Sequence, residues 1–580
     1  MACVAVLSLM RTMELEFLQT HPRPILQQNQ LLIPPNIDFI QSLLGKLQSL
    51  VELFDENRMD GVEAIRILET RLRDVAFRTE DEIELQVVHL YQEEERATRG
   101  CSMLCQIVHR LKGNPREYND DIVERTCPSL TLGYILQQAI DDIDAIKEEL
   151  VKVKEEYELS KDLHGRNAAL HVLPKPADDE VITMASHFQE IMVGKQDEFE
   201  FIKEKLIQHP SKQLEVVTIK GMGGIGKTTL AKKIYEDPLI TSYFDMRAWT
   251  VASQHHSKRQ MLLDLLGSKD DAGKSSDGDL ALLLYQSFKK CQRYLVVMDD
   301  IWSVEAWYAV KSCFPDDGNG SRVLLTTRLS EVANHTCSKG DFSHQMQFLE
   351  QSEGWKLFNE KACKSRGAEF ETIGRPVVEK CKGLPLAIIV VAGLFSKLNT
   401  LDEWISTANA LSSSATTLDD EECLRILSLS YNHLPHNLKG CFLYLGVFPE
   451  DHEIHANNLA RLWLAEGLVK TFENENFDAV ANRYMQELMD RNLIILSQLC
   501  SRGRKIKSFR MHDLLHAFCV REAQKENLLH VVMSENRSDF PQKGVRWLRI
   551  QSVNLDMSTI YSQTKSSRSF FFFFVEEIIF

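Results

Sequence analysis

Residues 221–229, Gly221-Met-Gly-Gly-Ile-Gly226-Lys227-Thr228-Thr229, are of the types and at the spacing that hold phosphate. They fit a glycine, four residues, then Gly-Lys-Ser/Thr. Gly221, Gly223, Gly224 and Gly226, with Ile225 between them, let backbone N–H groups close around phosphate oxygens. A helix starting at this point adds partial positive charge. Lys227 can reach the β- and γ-phosphates, and the Thr228 hydroxyl can hold Mg²⁺. The bland alternative is a glycine-rich turn without chemistry. The apolar run at 214–219 and the helical pattern at 230–235 argue against it, because they supply the strand and helix that the motif demands. The expectation is a bound nucleoside di- or triphosphate.

Two further stretches could serve the same ligand. Residues 294–298 are five apolar residues running into Asp299 and Asp300, the form of a buried parallel strand whose C-terminal end faces the nucleotide. Asp299 suits the Mg²⁺ shell, and Asp300 suits a general base or water-orienting group. Residues 321–327 read as another strand, ending in Arg328, which can sense a γ-phosphate or be an ordinary surface arginine.

The positioning elements follow. A strand is expected at 246–251, a polar loop at 269–278 and a helical core face at Trp355, Leu357 and Phe358. Residues 381–387 break one helix and start an apolar one through 395. Upstream, residues 1 to about 160 read as a bundle of four one-sided helices, with apolar stripes such as Ile40, Leu44, Leu47 and Val51. Pro22, Pro24, Pro34 and Pro35 read as breaks. Charge is dense at 71–77 and 80–84, either a solvated face or a face that docks on another domain. Pro174, Pro176 and Asp178-Asp179-Glu180 mark a linker.

The 580 residues allow about three to five domains. A net charge of -16 argues against a dedicated nucleic-acid binder, and the basic run at 502–507 reads as a hairpin. The 13 cysteines lack CxxC pairs and fit reduced thiols, with Cys101 and Cys105 read as packing on one helix face. The opening MACVAVLSLM runs at once into Arg11, Glu14 and Glu16, so no signal peptide is expected. No uncharged apolar run reaches about 18 residues, so no membrane span is expected, and peripheral contact stays open.

The motifs together resemble plant intracellular immune receptors built from a coiled coil, a nucleotide-binding NB-ARC module and leucine-rich repeats (NLR). They run in order: GMGGIGKTT at 221–229, FDMRAWTVASQ at 244–254, RYLVVMDDIW at 293–302, GSRVLLTTR at 320–328, GLPLA at 383–387, CFLYLGVFPED at 441–451 and MHD at 511–513. The N-terminal style resembles late-blight-resistance-type receptors of the nightshade family. The resemblance implies a multidomain α and α/β fold. A coiled-coil helical bundle would span 1–162, a linker 163–185, a P-loop nucleotide-binding domain 186–340, a helical ARC domain 341–420, a winged-helix domain 421–522, and the start of a repeat region 523–580. It implies ADP/ATP and Mg²⁺ as cofactors, with Gly224, Gly226, Lys227, Thr228 and Thr229 on the phosphates. It further implies Asp299 on Mg²⁺, Asp300 in slow hydrolysis, Arg328 on the γ-phosphate and Pro385 near the adenine. His512 would touch the β-phosphate of ADP and hold the winged-helix domain closed. Expected partners are an adenine nucleotide, further copies of the chain on activation, a pathogen effector or host protein, and other receptors of this class. No nucleic acid is expected, and the location would be cytoplasmic, with the plasma-membrane surface left open.

The acid pair Asp299-Asp300 lacks the glutamate that efficient ATPases place after the Mg²⁺ aspartate, which favours a nucleotide switch over a turnover enzyme. After residue 522 only 545–550 and 569–574 read as repeat-like strands, and the expectation is a receptor truncated before most of its repeats. Its apolar end, 570–580, would be aggregation-prone if exposed. An ordinary P-loop ATPase and a non-signalling interaction protein stand as the alternatives.

Overall fold

The computed structural model describes residues 2–18, 34–56, 63–108, 128–162, 192–208, 212–252, 258–267, 275–336, 342–362, 367–411, 420–469, 477–500, 505–532, 545–550 and 569–572. The linker expected at 163–185 lies outside them, as do the side chains of Cys101 and Cys105. Contacts divide the chain into two units: 1–181 with 435–441 and 460–477, and 182–434 with 442–459 and 478–580. The stretch 421–522, expected as one domain, is therefore shared between them. One reason is Gly467, packed so closely on the Arg11 side chain that a Cβ would meet it at 3.2 Å.

The first unit holds four helices, α1 Ala2–Phe17, α2 Pro34–Glu56, α3 Glu63–Val108 and α4 Pro128–Asp162. Pro34 and Pro35 open α2 instead of breaking it, because the first turn needs no N–H there. Leu9, Met13, Leu43, Leu47, Leu72, Ile83, Leu136 and Ile143 form the core. The charge on α3 is engaged inside this bundle. Arg71 meets Glu149 at 2.5 Å, Arg78 pairs with Asp142, and buried Glu80 accepts from Ser8 Oγ and, at 2.8 Å, from Thr12 Oγ1.

The second unit is built on a parallel sheet: β1 Glu215–Lys220, β2 Met246–Val251, β3 Tyr294–Asp299, β4 Arg322–Thr327 and β5 Phe342–Gln345, in the order β2-β3-β4-β1-β5. Strands β3 and β4 are buried on both faces, which explains the consecutive apolar residues Tyr294–Met298 and Val323–Leu325 at their centres. The edge strand β5 was not foreseen. Its sequence, FSHQ, alternates half-buried and exposed residues and carries no apolar run. Helix α5 Lys227–Glu236 starts directly from the glycine loop. The loop expected at 269–278 ends earlier, because Ser276 and Asp279 form a capping box that starts the helix Asp277–Lys289.

Helix α6 Pro385–Ser396 is buried on nearly every side, which removes the amphipathic pattern from its sequence. Beyond it, β6 Ile454–His455, β7 Ile495–Leu499 and β8 Ile506–Arg510 form an antiparallel sheet in the order β6-β8-β7, followed by α7 Asp513–Lys525. The basic run ends on β8 as part of this hairpin, with 501–504 outside the described residues. Last come β9 Leu529–Val532, β10 Trp547–Ile550 and β11 Ser569–Phe572, a parallel layer ordered β11-β10-β9. No described helix is long and apolar enough to cross a membrane.

Candidate functional site

The glycine loop leaves the C-terminal end of β1, an inner strand of the sheet lying between β4 and the edge strand β5. Gly224 and Gly226 sit at φ +76° and +101°, a left-handed backbone that side chains rarely adopt. The Gly221 N–H donates to the Thr327 carbonyl at 3.2 Å, which ties the loop to β4. On one side Gly224 is bonded to α6, its carbonyl accepting from the Leu386 N–H at 3.2 Å. On the other, Gly223 lies beside Leu514 of α7 and Arg328, where a Cβ would stand 3.2 and 3.0 Å from their atoms.

Lys227 is 6% exposed, and its Nζ donates to the carbonyls of Gly221 and Met222 at 3.0 and 3.1 Å. Burial lowers its pKa to about 8, opposed by the charge of Asp300. Asp299 accepts from Thr228 Oγ1 at 3.2 Å and from Thr326 Oγ1. Burial raises its pKa to about 6 despite those two hydroxyls. A divalent cation would remove that penalty, because it favours the carboxylate.

Asp300, expected as a general base or water-orienting group, has both carboxylate oxygens bonded to side chains of the protein. Its backbone is left-handed at φ +52°, a conformation that costs about 1–3 kcal/mol in a non-glycine residue. Both its oxygens are engaged: Oδ1 by Arg328 Nε at 3.3 Å, and Oδ2 by Arg328 Nη2 at 3.3 Å and Trp302 Nε1 at 3.0 Å. Arg328 also stacks on the Trp302 ring, its guanidinium carbon 4.7 Å from the centroid. The same Nη2 pairs with Asp513 at the first position of α7.

His512 is the N-cap of α7. Its Nδ1 accepts from the Leu514 N–H at 3.2 Å, so the proton of the neutral ring sits on Nε2. Burial holds the ring below its usual pKa. Pro385 occupies the first turn of α6, one residue from the loop contact. The structure thus brings Lys227, Thr228, Asp299, Asp300 and Arg328 to the sheet's C-terminal edge, with His512 and Asp513 on the facing helix.

The motif order did not assign two acids here. Asp451, at φ +59°, and Asp513 share a side-chain hydrogen bond. Burial and the charge of Asp513 push Asp451 well above the usual carboxylate range, and Asp513 is held below it, so of the pair Asp451 is the acid that keeps a proton to donate. Burial and Asp513 likewise raise Glu450 to about 7. The available signal was an apolar run, 441–448, closing on Glu450-Asp451 just as β3 closes on its own acid pair.

Comparison with known proteins decides the family of this site. The NB-ARC domain family matches residues 195–367, and the disease-resistance winged-helix family matches 447–519. The chain carries an NB-ARC domain. Relatives that span it more widely include a late blight resistance protein homologue of Solanum demissum, 30% identical over 86% of this chain and 37% of that protein. The disease resistance protein RPP13 of Arabidopsis thaliana is 35% identical over 59% of this chain and 42% of that protein. The chain therefore spans less than half the length of these relatives. A solved structure of a signal-transduction ATPase with a tetratricopeptide sensor from Pyrococcus horikoshii aligns over 60% of this chain and 46% of that one, at 20% identity and a TM-score of 0.37. The NB-ARC domain is a nucleotide-binding domain, and the positive-φ glycines 224 and 226, buried Lys227 and the Thr228–Asp299 pair all lie within the matched residues.

Proposed function

We propose that this chain is the switch portion of an intracellular plant immune receptor, held inactive with ADP and activated by exchange for ATP. The observation that carries the proposal is the arginine bridge. Arg328, at the end of β4, holds Asp300 of the same sheet and Asp513 of the winged-helix segment at once. A group that binds both segments only in this arrangement shifts the population toward it. Gly221, Gly223, Gly224, Ile225, Gly226, Lys227, Thr228 and Thr229 would hold the phosphates, Thr228 and Asp299 an accompanying Mg²⁺, and Pro385 the base side. The nucleotide supplies a compact anion for which Lys227, the loop N–H groups and His512 Nε2–H are all donors. Asp300 restrains Arg328 instead of activating water, which supports slow hydrolysis or none. Release of Arg328 from Asp513 would free the winged-helix segment, and further copies of the chain would then assemble to trigger defence and cell death in the cytoplasm. A pathogen effector, a host protein or another receptor would be the upstream partner.

The purified chain is expected to carry bound ADP and to lose it in Lys227→Arg. Steady-state hydrolysis should stay below about 1 s⁻¹, the low end of working enzymes. Wild-type protein without adenine nucleotide overturns the reading, and turnover at or above that rate replaces it with an ordinary ATPase.

A further inference from the structure

Arg549 lies within β10 and is 5% exposed, between Leu548 and Ile550, which are also buried. Taking a guanidinium out of water costs several kcal/mol unless its donors are used. Its Nη1 donates to the Gly446 and Phe448 carbonyls at 3.0 and 2.8 Å. These carbonyls close the 3₁₀ turn Leu445–Val447, where helical backbone has acceptors without a partner of its own. Nε has no hydrogen-bond partner among the described residues, so Nη1 sets the position of the group.

The same carbonyl is shared with α7. His516 Nε2 lies 2.8 Å from the Phe448 oxygen and 3.5 Å from Arg549 Nη1. The neutral ring donates there, held neutral by burial and by the adjacent guanidinium. His516 is one helical turn after His512, its N–H donating to the His512 carbonyl at 2.9 Å. Glu450, two residues beyond Phe448, lies in the field of both Arg549 and Asp513. Trp547, at the start of β10, packs edge-on against Tyr444 at 4.9 Å and fixes the strand to the same turn. An unbroken set of contacts thus runs from β10 through the Phe448 carbonyl and His516 to the N-terminal turn of α7, and from Asp513 to Arg328.

We propose that Arg549 is a positioning residue: by holding the Phe448 carbonyl and His516 it sets the place of α7, so that the strand layer β9–β11 governs how firmly Asp513 engages Arg328. This rests on the switch reading above and adds the route by which the C-terminal strands act on it.

The test uses the full chain and two readouts, amide exchange of α7 and the release rate of bound ADP. Arg549→Met keeps the volume and removes the donors. It is expected to speed exchange at the first turn of α7 and ADP release by about tenfold, the equivalent of about 1.4 kcal/mol. Arg549→Lys, which can still donate to one carbonyl, should recover part of both. Combined with Asp513→Val, the two effects should fall short of their product, because both act on one contact. His516→Gln gives a second entry should Arg549→Met fold poorly, with the same acceleration expected. Wild-type α7 exchange and release in folded Arg549→Met or His516→Gln overturns the proposal, as does a full product in the double variant. Wild-type protein lacking ADP instead overturns the switch reading, and α7 exchange then decides the role of Arg549 by itself.

Discussion

Asp513 takes a hydrogen bond from Asp451 on one side and the Arg328 guanidinium on the other. Burial raises its pKa, but the Arg328 guanidinium, with the donated bond, outweighs burial and holds it below the usual carboxylate range. Asp513→Val would leave Arg328 partly buried with Asp300 as its remaining acid. Breaking such a pair is expected to cost on the order of 2 kcal/mol of closed-state preference, about a 30-fold faster ADP release. Release kinetics of labelled ADP measure this, and an unchanged rate removes Asp513 from the latch. Glu450 gives a pH test. Its pKa is raised from 4.5 to about 7, chiefly by burial and then by Asp513, so the folded state binds the extra proton. The stability this group contributes is full below pH 4.5 and lost as pH rises through about 7. Glu450→Gln, neutral throughout, should match wild type near pH 4.5 and exceed it in urea midpoint at pH 8. A constant difference between the two proteins across that range would sink the assignment.

Among the elements, the tightest junction joins the helical segment to the end of the sheet. Gly383 sits at φ +73°, and a Cβ there would stand 2.3 Å from the Leu349 carbonyl, which is backbone and cannot swing away. Gly383→Ala should therefore cost about 3 kcal/mol or more, strain plus overlap. Gly318→Ala, at φ +64° with nothing within 4 Å, should cost about 1–2 kcal/mol, the left-handed penalty alone. Denaturant unfolding of the two variants separates the terms, and equal losses would mean the Leu349 contact is soft. This contrast also marks what was legible in the sequence. β1, β3 and β4 were readable because burial on both faces places apolar residues side by side, Val216-Val217, Tyr294–Met298 and Val323–Leu325, and the GLPL break was readable because glycine and proline punctuate. β5 and β9 were not, since short strands with polar positions carry no period. Lys227, Thr228 and Asp299 could be named because phosphate chemistry fixes their types and local spacing. The Arg328–Asp513 bridge could not be derived from spacing, because its partners are 185 residues apart and only tertiary folding brings them together. The partners of Asp300 were hidden for the same reason: its acid was visible, but Arg328 and Trp302 on its two oxygens were not.

At the scale of the molecule, binding must appear as stability of the unit that holds the loop. A ligand at 100 times its dissociation constant stabilises the state that binds it by about 2.7 kcal/mol. The second unit spans roughly 370 residues, and at about 2.1 cal/mol/K of unfolding entropy per residue the shift is about 3–4 °C. Scanning calorimetry of the full chain with and without ADP should show that rise. Lys227→Met should abolish it. Without nucleotide, Lys227 is a buried ammonium whose acceptors among the described residues are the Gly221 and Met222 carbonyls, and burial lowers its pKa to about 8. Exchanging it for a hydrocarbon of similar length should leave the ligand-free transition within about 1 kcal/mol of wild type, since the desolvation penalty disappears with the two bonds. A lost ADP response with an unmoved ligand-free transition identifies Lys227 as a binding residue. A transition that falls by several degrees before any nucleotide is added makes Lys227 a structural residue, and an ADP response that survives in Lys227→Met moves the phosphate contact away from the loop.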